Sequence, residues 1–116
     1  MKLLESELKV LSVLWQEGEM PASVLYRILA EKVGWNKNTT YTVLKKSIEK
    51  GLIERQEPNF ICKPLKTREE MGIQSANDIV NKMFEKSPAL FLNAFLGSTK
   101  LSEKEIEEAK KLLDNM

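Results

Sequence analysis

The residues that place most chemistry in the smallest space form one run. It reads Asn36-Lys37-Asn38-Thr39-Thr40-Tyr41-Thr42-Val43-Leu44-Lys45-Lys46-Ser47-Ile48-Glu49-Lys50 and is closed by Gly51. Its polar groups are chiefly amides, hydroxyls and ammoniums, with no base placed to activate a nucleophile. Amides and hydroxyls can hydrogen-bond to the edges of DNA bases, and ammoniums can neutralise phosphates. Asn at the start and Gly just past the end are helix start and stop signals. At about 100° per residue, Thr40, Val43, Leu44, Ser47 and Ile48 fall on one side. Asn38, Thr42, Lys45 and Glu49 fall on the other, flanked by Thr39, Tyr41 and Lys46. One face is built for burial. The other offers short hydrogen-bonding groups first and lysines further along. A polar surface helix without special role has the same composition, so the weight rests on the neighbouring elements.

Composition narrows the alternatives. The chain has 116 residues, 42% of them hydrophobic and 30% charged, as expected of one soluble domain or a small domain with an appendage. There is no histidine, and Cys62 is the only cysteine. Intrachain disulfides, structural zinc and His-based catalysis are thereby excluded, and Cys62 reads as a half-buried strand residue. No Gly-rich phosphate loop, Ser/Lys pair or carboxylate pair has a spacing that suggests a shared site. The acidic clusters Glu69-Glu70 and Glu103 to Glu108 sit at helix N-termini, where they complement the dipole. Neither an enzyme, a metal centre nor a cofactor is expected. Without a signal pattern or an apolar run of about 18 residues, a cytoplasmic protein with no membrane insertion is expected. Residues 1–66 hold eleven Lys and Arg against eight Asp and Glu, while residues 67–116 hold seven against nine. That mild asymmetry permits nucleic-acid binding by the first half.

In that half, Leu4, Leu8, Leu11 and Trp15, with Val10 and Leu14 beside them, predict an amphipathic helix ending near Gln16, with Gly18 in the turn after it. Glu19-Met20 can form a short strand, and Pro21-Ala22-Ser23 opens a second helix. Val24/Leu25, Ile28/Leu29 and Lys32/Val33 repeat along that helix, and Gly34 stops it. Trp35 reads as a core anchor between the second and third helices. Leu52 to Gln56 and Phe60 to Pro64 are strand-like around the turn chemistry of Glu57-Pro58-Asn59. Two helices joined by a short Gly-containing turn and followed directly by a hairpin make a winged helix-turn-helix. Placed N-terminus first in a major groove, the third helix would turn Asn38, Thr39, Tyr41 and Thr42 to bases. Lys37, Lys45 and Lys46 would meet phosphates, and Arg55 would add a contact from the hairpin.

Residues 67–116 are read as a helical dimerisation region behind a winged-helix domain at 1–66. Thr67-Arg68-Glu69-Glu70 is a capping box, followed by the stripe Ile73, Ala76, Ile79/Val80 and Met83/Phe84. Ser87-Pro88 starts a helix in which residues 89–96 are apolar nearly all round, and Ser102-Glu103-Lys104-Glu105 caps the last one. A helix with no solvent face needs cover on every side. Two identical tails can supply it in an isologous homodimer, through Ile79, Met83, Leu90, Phe91, Phe95, Leu96, Ile106 and Leu112. The alternative is a tail folded back as an intramolecular cap. The fold class expected is thus mainly α with a small β-hairpin.

Gly34-Trp35-Asn36 through Lys50-Gly51-Leu52-Ile53 resembles the signature of the penicillinase, methicillin-resistance and copper-transport repressors. Glu7-Leu8-Lys9-Val10-Leu11-Ser12-Val13-Leu14-Trp15 resembles that family's first helix, and the similarity runs on to Leu101-Ser102-Glu103-Lys104-Glu105-Ile106-Glu107-Glu108. The resemblance implies a homodimeric transcriptional repressor on an inverted-repeat operator in double-stranded DNA. It further implies release by a signal-activated protease that cuts an Asn-Phe bond in the apolar helix, where this chain reads Leu92-Asn93-Ala94-Phe95. Tyr41 replaces the family's usual basic residue, Ser47 its Leu and Thr40 its aliphatic residue. The tail lacks the Cys-x-Cys pairs of copper-responsive members. The acidic wing tip and near-neutral net charge leave a second reading, a winged-helix protein-interaction adaptor without a specific DNA site.

Overall fold

A computed structural model describes residues 3–116. Helix α1 (Glu5–Glu17) ends at Gly18, whose φ of 92° lies where glycine is favoured. Strand β1 (Met20–Pro21) leads straight into α2 (Ala22–Val33), with Pro21 as N-cap and Gly34 in the left-handed region at its end. Helix α3 (Lys37–Glu49) starts on Asn36, whose side chain accepts the Thr39 N–H at 2.8 Å. Strands β2 (Ile53–Gln56) and β3 (Ile61–Pro64) form the hairpin. β1 adds to the free edge of β3, Met20 opposite Cys62, so the sheet order is β1-β3-β2 and all pairs are antiparallel. Three helices and a three-stranded sheet in this order are a winged helix.

Leu14, Leu25, Leu29, Leu44 and Ile53 are among the fully buried side chains of its core. Burial of α1 is rotated from the expected stripe. Glu7, Val10, Leu11, Val13 and Leu14 face inward, whereas Leu4 and Leu8 lie at the exposed edge. The cause is Glu7, only 1% exposed, which a hydrophobic pattern would place outside. Its carboxylate takes the Leu4 N–H at 2.9 Å and has the Lys50 ammonium, from the C-cap of α3, at 2.9 Å from each oxygen. Cap, charge neutralisation and helix-to-helix tie are met by one side chain. At the far end of α1, the Trp15 indole N–H donates to the Lys66 carbonyl at 2.8 Å, and the Arg68 guanidinium lies 5.2 Å from the ring centroid.

The helical tail comprises α4 (Arg68–Met83), α5 (Pro88–Ser98) and α6 (Glu103–Asp114). Each N-terminus is capped as its sequence demands. Glu70 N–H donates to Thr67, Leu90 N–H to Ser87 and Glu105 N–H to Ser102, at 3.1 to 3.2 Å. In return the Ser102 backbone N–H donates to the Glu105 carboxylate at 3.1 Å, and this bond first, then the Ser102 hydroxyl, holds that carboxyl below its usual range. The chain packs as two compact units, the first reaching Ser75 and the second running Ala76–Met116. Packing thus divides the chain inside α4 rather than ahead of it, and Met71 is buried with the winged-helix core. In the second unit Phe91 meets Phe84 edge-on at 5.3 Å and stacks on Phe95 at 5.8 Å. Among the described residues of this unit, Val80 alone is fully sheltered. Ile79, Met83, Leu90, Phe95, Leu96, Ile106 and Leu112 are all exposed, Phe91 half so.

Two outcomes follow from the core. Lys50→Met strands a buried carboxylate, whereas Glu7→Gln removes the charge itself. Lys50→Met is therefore expected to cost about 2–3 kcal/mol, somewhat below the range for fully buried pairs because Lys50 is 29% exposed. Glu7→Gln should cost less; urea unfolding followed through Trp15 and Trp35 checks the order, and the reverse order would refute it. Cys62 is fully buried, and desolvation pushes its thiol up to about 11 against a smaller lowering by Arg55. It stays protonated at pH 8, where only the thiolate is nucleophilic. Native protein should leave a thiol reagent unconsumed at that pH, and urea-unfolded protein should consume one equivalent.

Candidate nucleic-acid interface

Helix α3 owes its orientation to its buried face. Thr40, Val43, Leu44 and Ser47 are buried and Ile48 half-buried, as the periodicity requires. The two hydroxyls in that face are satisfied without outside partners. Thr40 Oγ1 donates to the Asn36 carbonyl at 3.2 Å and Ser47 Oγ to the Val43 carbonyl at 2.8 Å, each four residues back. With this face inward, Lys37, Asn38, Thr39, Thr42, Lys45 and Lys46 all lie exposed. Among the described residues, Lys45 and Lys46 have no carboxylate within ion-pair distance. Such a surface can make directed hydrogen bonds and meet negative charge.

Tyr41 and Arg55 are placed differently. Tyr41 is half-buried and forms the joint between α3 and the hairpin. Its ring meets Phe60 edge-on at 5.9 Å, with the Lys37 ammonium 6.0 Å from its centroid. Arg55, exposed on β2, lays its guanidinium 3.8 Å from the centre of the Phe60 ring and donates through Nε to the Glu57 carboxylate. Tyr41, Lys45, Ile48, Glu49, Arg55 and Phe60 together line an open cleft between α3 and the wing.

Sequence reasoning missed Phe60 as a site residue and placed it in a strand. It belongs to the turn, and its φ of 49°, after 74° at Asn59, is left-handed. That conformation costs a bulky side chain on the order of 1–3 kcal/mol and persists only where its surroundings over-determine it. Here the Ala22 N–H donates to the Phe60 carbonyl at 2.9 Å, while Tyr41 and Arg55 hold the ring. No local sequence signal distinguishes Phe60 from an ordinary strand aromatic. Among the described residues no group of three or more His, Cys, Asp or Glu is arranged to hold a metal, and no helix is long and apolar enough to cross a membrane.

The chain is similar to known proteins in sequence and in fold. The methicillin resistance regulatory proteins MecI of Staphylococcus aureus (strain N315) and Mammaliicoccus sciuri are each 25% identical to it over 116 residues, spanning 97% of this chain and 94% of the relative. The solution structure of the DNA binding domain of the repressor BlaI superposes with a TM-score of 0.55 at 21% identity, over 60% of this chain and 87% of that domain. The latter likeness is one of fold. The description "Penicillinase repressor" matches residues 3–115, nearly the whole length, and the chain belongs to that family.

Proposed function

We propose that the protein is a transcriptional repressor that binds an inverted-repeat operator in double-stranded DNA as a homodimer. The observation that carries this is the exposed face of α3, where an amide, two threonine hydroxyls and two unpaired lysines share a rigidly seated helix. Membership of the penicillinase repressor family supports it, as do relatives described as a resistance regulator and a repressor's DNA binding domain. In this reading α3 enters the major groove, with Asn38, Thr39 and Thr42 at base edges and Tyr41 beside them. Lys37, Lys45 and Lys46 lie toward phosphates, with Arg55 as a phosphate donor for which the wing's own Glu57 carboxylate competes. Residues 1–66 supply the DNA-binding domain and residues 67–116 the dimerisation region, whose dimerising surface lies beyond the part of α4 that packs with the winged-helix core.

The dimer is supported by what the second unit leaves uncovered. Ile79 is 50%, Phe95 49% and Leu112 70% exposed in the single chain. The helix Pro-Ala-Leu-Phe-Leu-Asn-Ala-Phe-Leu-Gly-Ser carries no charge on any side. A second copy of this unit has the matching surface, and two-fold symmetry of the protein then calls for two-fold symmetry in its site. Release by a signal-activated protease would act at Asn93-Ala94-Phe95 in α5, where a cut removes the end of the dimerising surface.

Fluorescence anisotropy on a labelled fragment of the gene's own promoter, against scrambled duplex over a salt series, tests the reading. Preference for the promoter of at least about 10³ is expected near physiological salt. Thr39→Ala or Thr42→Ala should lose about 1–3 kcal/mol at the matching base position, and Lys45→Ala or Lys46→Ala should flatten the salt slope by roughly one. Equal, weak, wholly salt-sensitive binding to both duplexes would put the protein-interaction adaptor in its place. For the dimer, Phe95→Glu is expected to raise the dissociation constant at least about tenfold, roughly 1.4 kcal/mol, in sedimentation equilibrium. A wild-type protein that sediments as a monomer at micromolar concentration would refute it.

A further inference from the structure

The wing carries an acidic tip, and the position of its carboxylate gives it a role beyond lowering the local charge. Within residues 53–64 the cations are Arg55 and Lys63. Arg55 is the one at the cleft shared with Tyr41 and Lys45 of α3. Its guanidinium plane is fixed by the Phe60 ring at 3.8 Å, and Phe60 is itself fixed by Tyr41 and by the Ala22 N–H. Stacking of this kind leaves the edge of the guanidinium as its donor surface, the fork that suits a phosphate. Glu57, two residues on, already accepts from the Nε of that edge.

As a stability device this pair has little to offer. The two side chains are 49% and 61% exposed, and exposed ion pairs contribute little to folding. As a competitor it is well placed. Carboxylate and phosphate oxygens accept from the same N–H groups, and a tethered acceptor has a high effective concentration. We propose that Glu57 is a built-in stand-in for a DNA phosphate. By taking the Nε–H of Arg55 and neutralising its charge, it suppresses sequence-independent binding through the wing and leaves recognition to α3, so it acts as a specificity-determining residue. The proposal rests on the DNA-binding reading above.

Glu57→Gln keeps the shape and removes the competing charge. Its effect is read on scrambled duplex between 50 mM and 500 mM salt, by anisotropy, in four proteins: wild type, E57Q, R55A and R55A/E57Q. E57Q is expected to bind scrambled duplex about five- to tenfold more tightly than wild type near 0.1 M salt, with a salt slope steeper by about 0.9, the signature of one added phosphate contact. The promoter fragment should gain less, so the specificity ratio falls. In the R55A background the same substitution should give no such gain, because the donor that Glu57 occupies is gone. An equal gain with and without Arg55 would overturn the proposal, since Glu57 would then act by general repulsion. No gain in either background would overturn it too. The repressor reading fails separately, by wild-type binding that shows no preference for the promoter, and the comparison on scrambled duplex still decides the role of Glu57. Circular dichroism melting of each variant confirms that all four are folded.

Discussion

The Glu7–Lys50 pair fixes the geometry on which the rest of the winged helix depends. Forty-three positions separate the two residues, and the contact ties the first turn of α1 to the last turn of α3. A carboxylate that is 1% exposed is tolerated only where its charge is met, and here the ammonium sits 2.9 Å from each oxygen. Apolar contacts between α1 and α3 could slide with little loss, because the hydrophobic effect is non-directional. An ion pair that also caps a helix cannot slide. Asn36 caps the other end of α3 from within its own chain, so the helix has a fixed start, and at its C-terminal end a constraint lying outside it fixes its seating.

That arrangement explains why α3 can carry hydroxyls on both faces without confusing them. Thr40 and Ser47 stand where the resembling repressors carry aliphatic side chains, and each is fully buried. Each spends its hydrogen on the carbonyl four residues back, so neither demands a partner in the core. Thr39 and Thr42 have the same chemistry and the opposite environment. The assignment of faces was legible because it rests on periodicity, and it did not require knowing what the hydroxyls do. Helix limits were legible for a related reason. Asn36, Ser87 and Ser102 cap through contacts three residues long, and Gly18, Gly34 and Gly51 all adopt positive φ.

What was not legible depends on contacts that only the closed chain creates. Glu7 lies among leucines at helical spacing, so the apolar pattern tilted the expected buried stripe toward Leu4 and Leu8. The tilt could be corrected only by knowing that Lys50 arrives from forty-three residues away. β1, expected as a short strand at Glu19-Met20, lies one residue on at Met20–Pro21; its partner was not legible, because only the folded hairpin offers the β3 edge opposite those residues. Tyr41 shows the same limit in the candidate site. Its position on α3 suggests a base-facing ring, while the structure seats it half-buried against Phe60. Its first effect is therefore to hold the wing against α3, and any contact with bases comes from the rim of the ring that stays exposed.

The wing shows how a net charge can mislead when the charges are paired. Summed over Glu57-Pro58-Asn59, the tip is acidic and argues against a nucleic-acid partner. Resolved into contacts, that carboxylate is engaged by Arg55, and the guanidinium is held in turn on Phe60. The field that α3 presents is then set by groups that are not engaged, of which Lys45 and Lys46 are the exposed cations nearest the middle of the helix. Local neutralisation at the wing and unpaired charge on α3 are different statements from a chain total of +1. A near-neutral protein can thus present a cationic, hydroxyl-bearing helix to a polyanion while its wing adds little attraction. On the repressor reading, that balance favours hydrogen-bond readout over indiscriminate adhesion to the backbone.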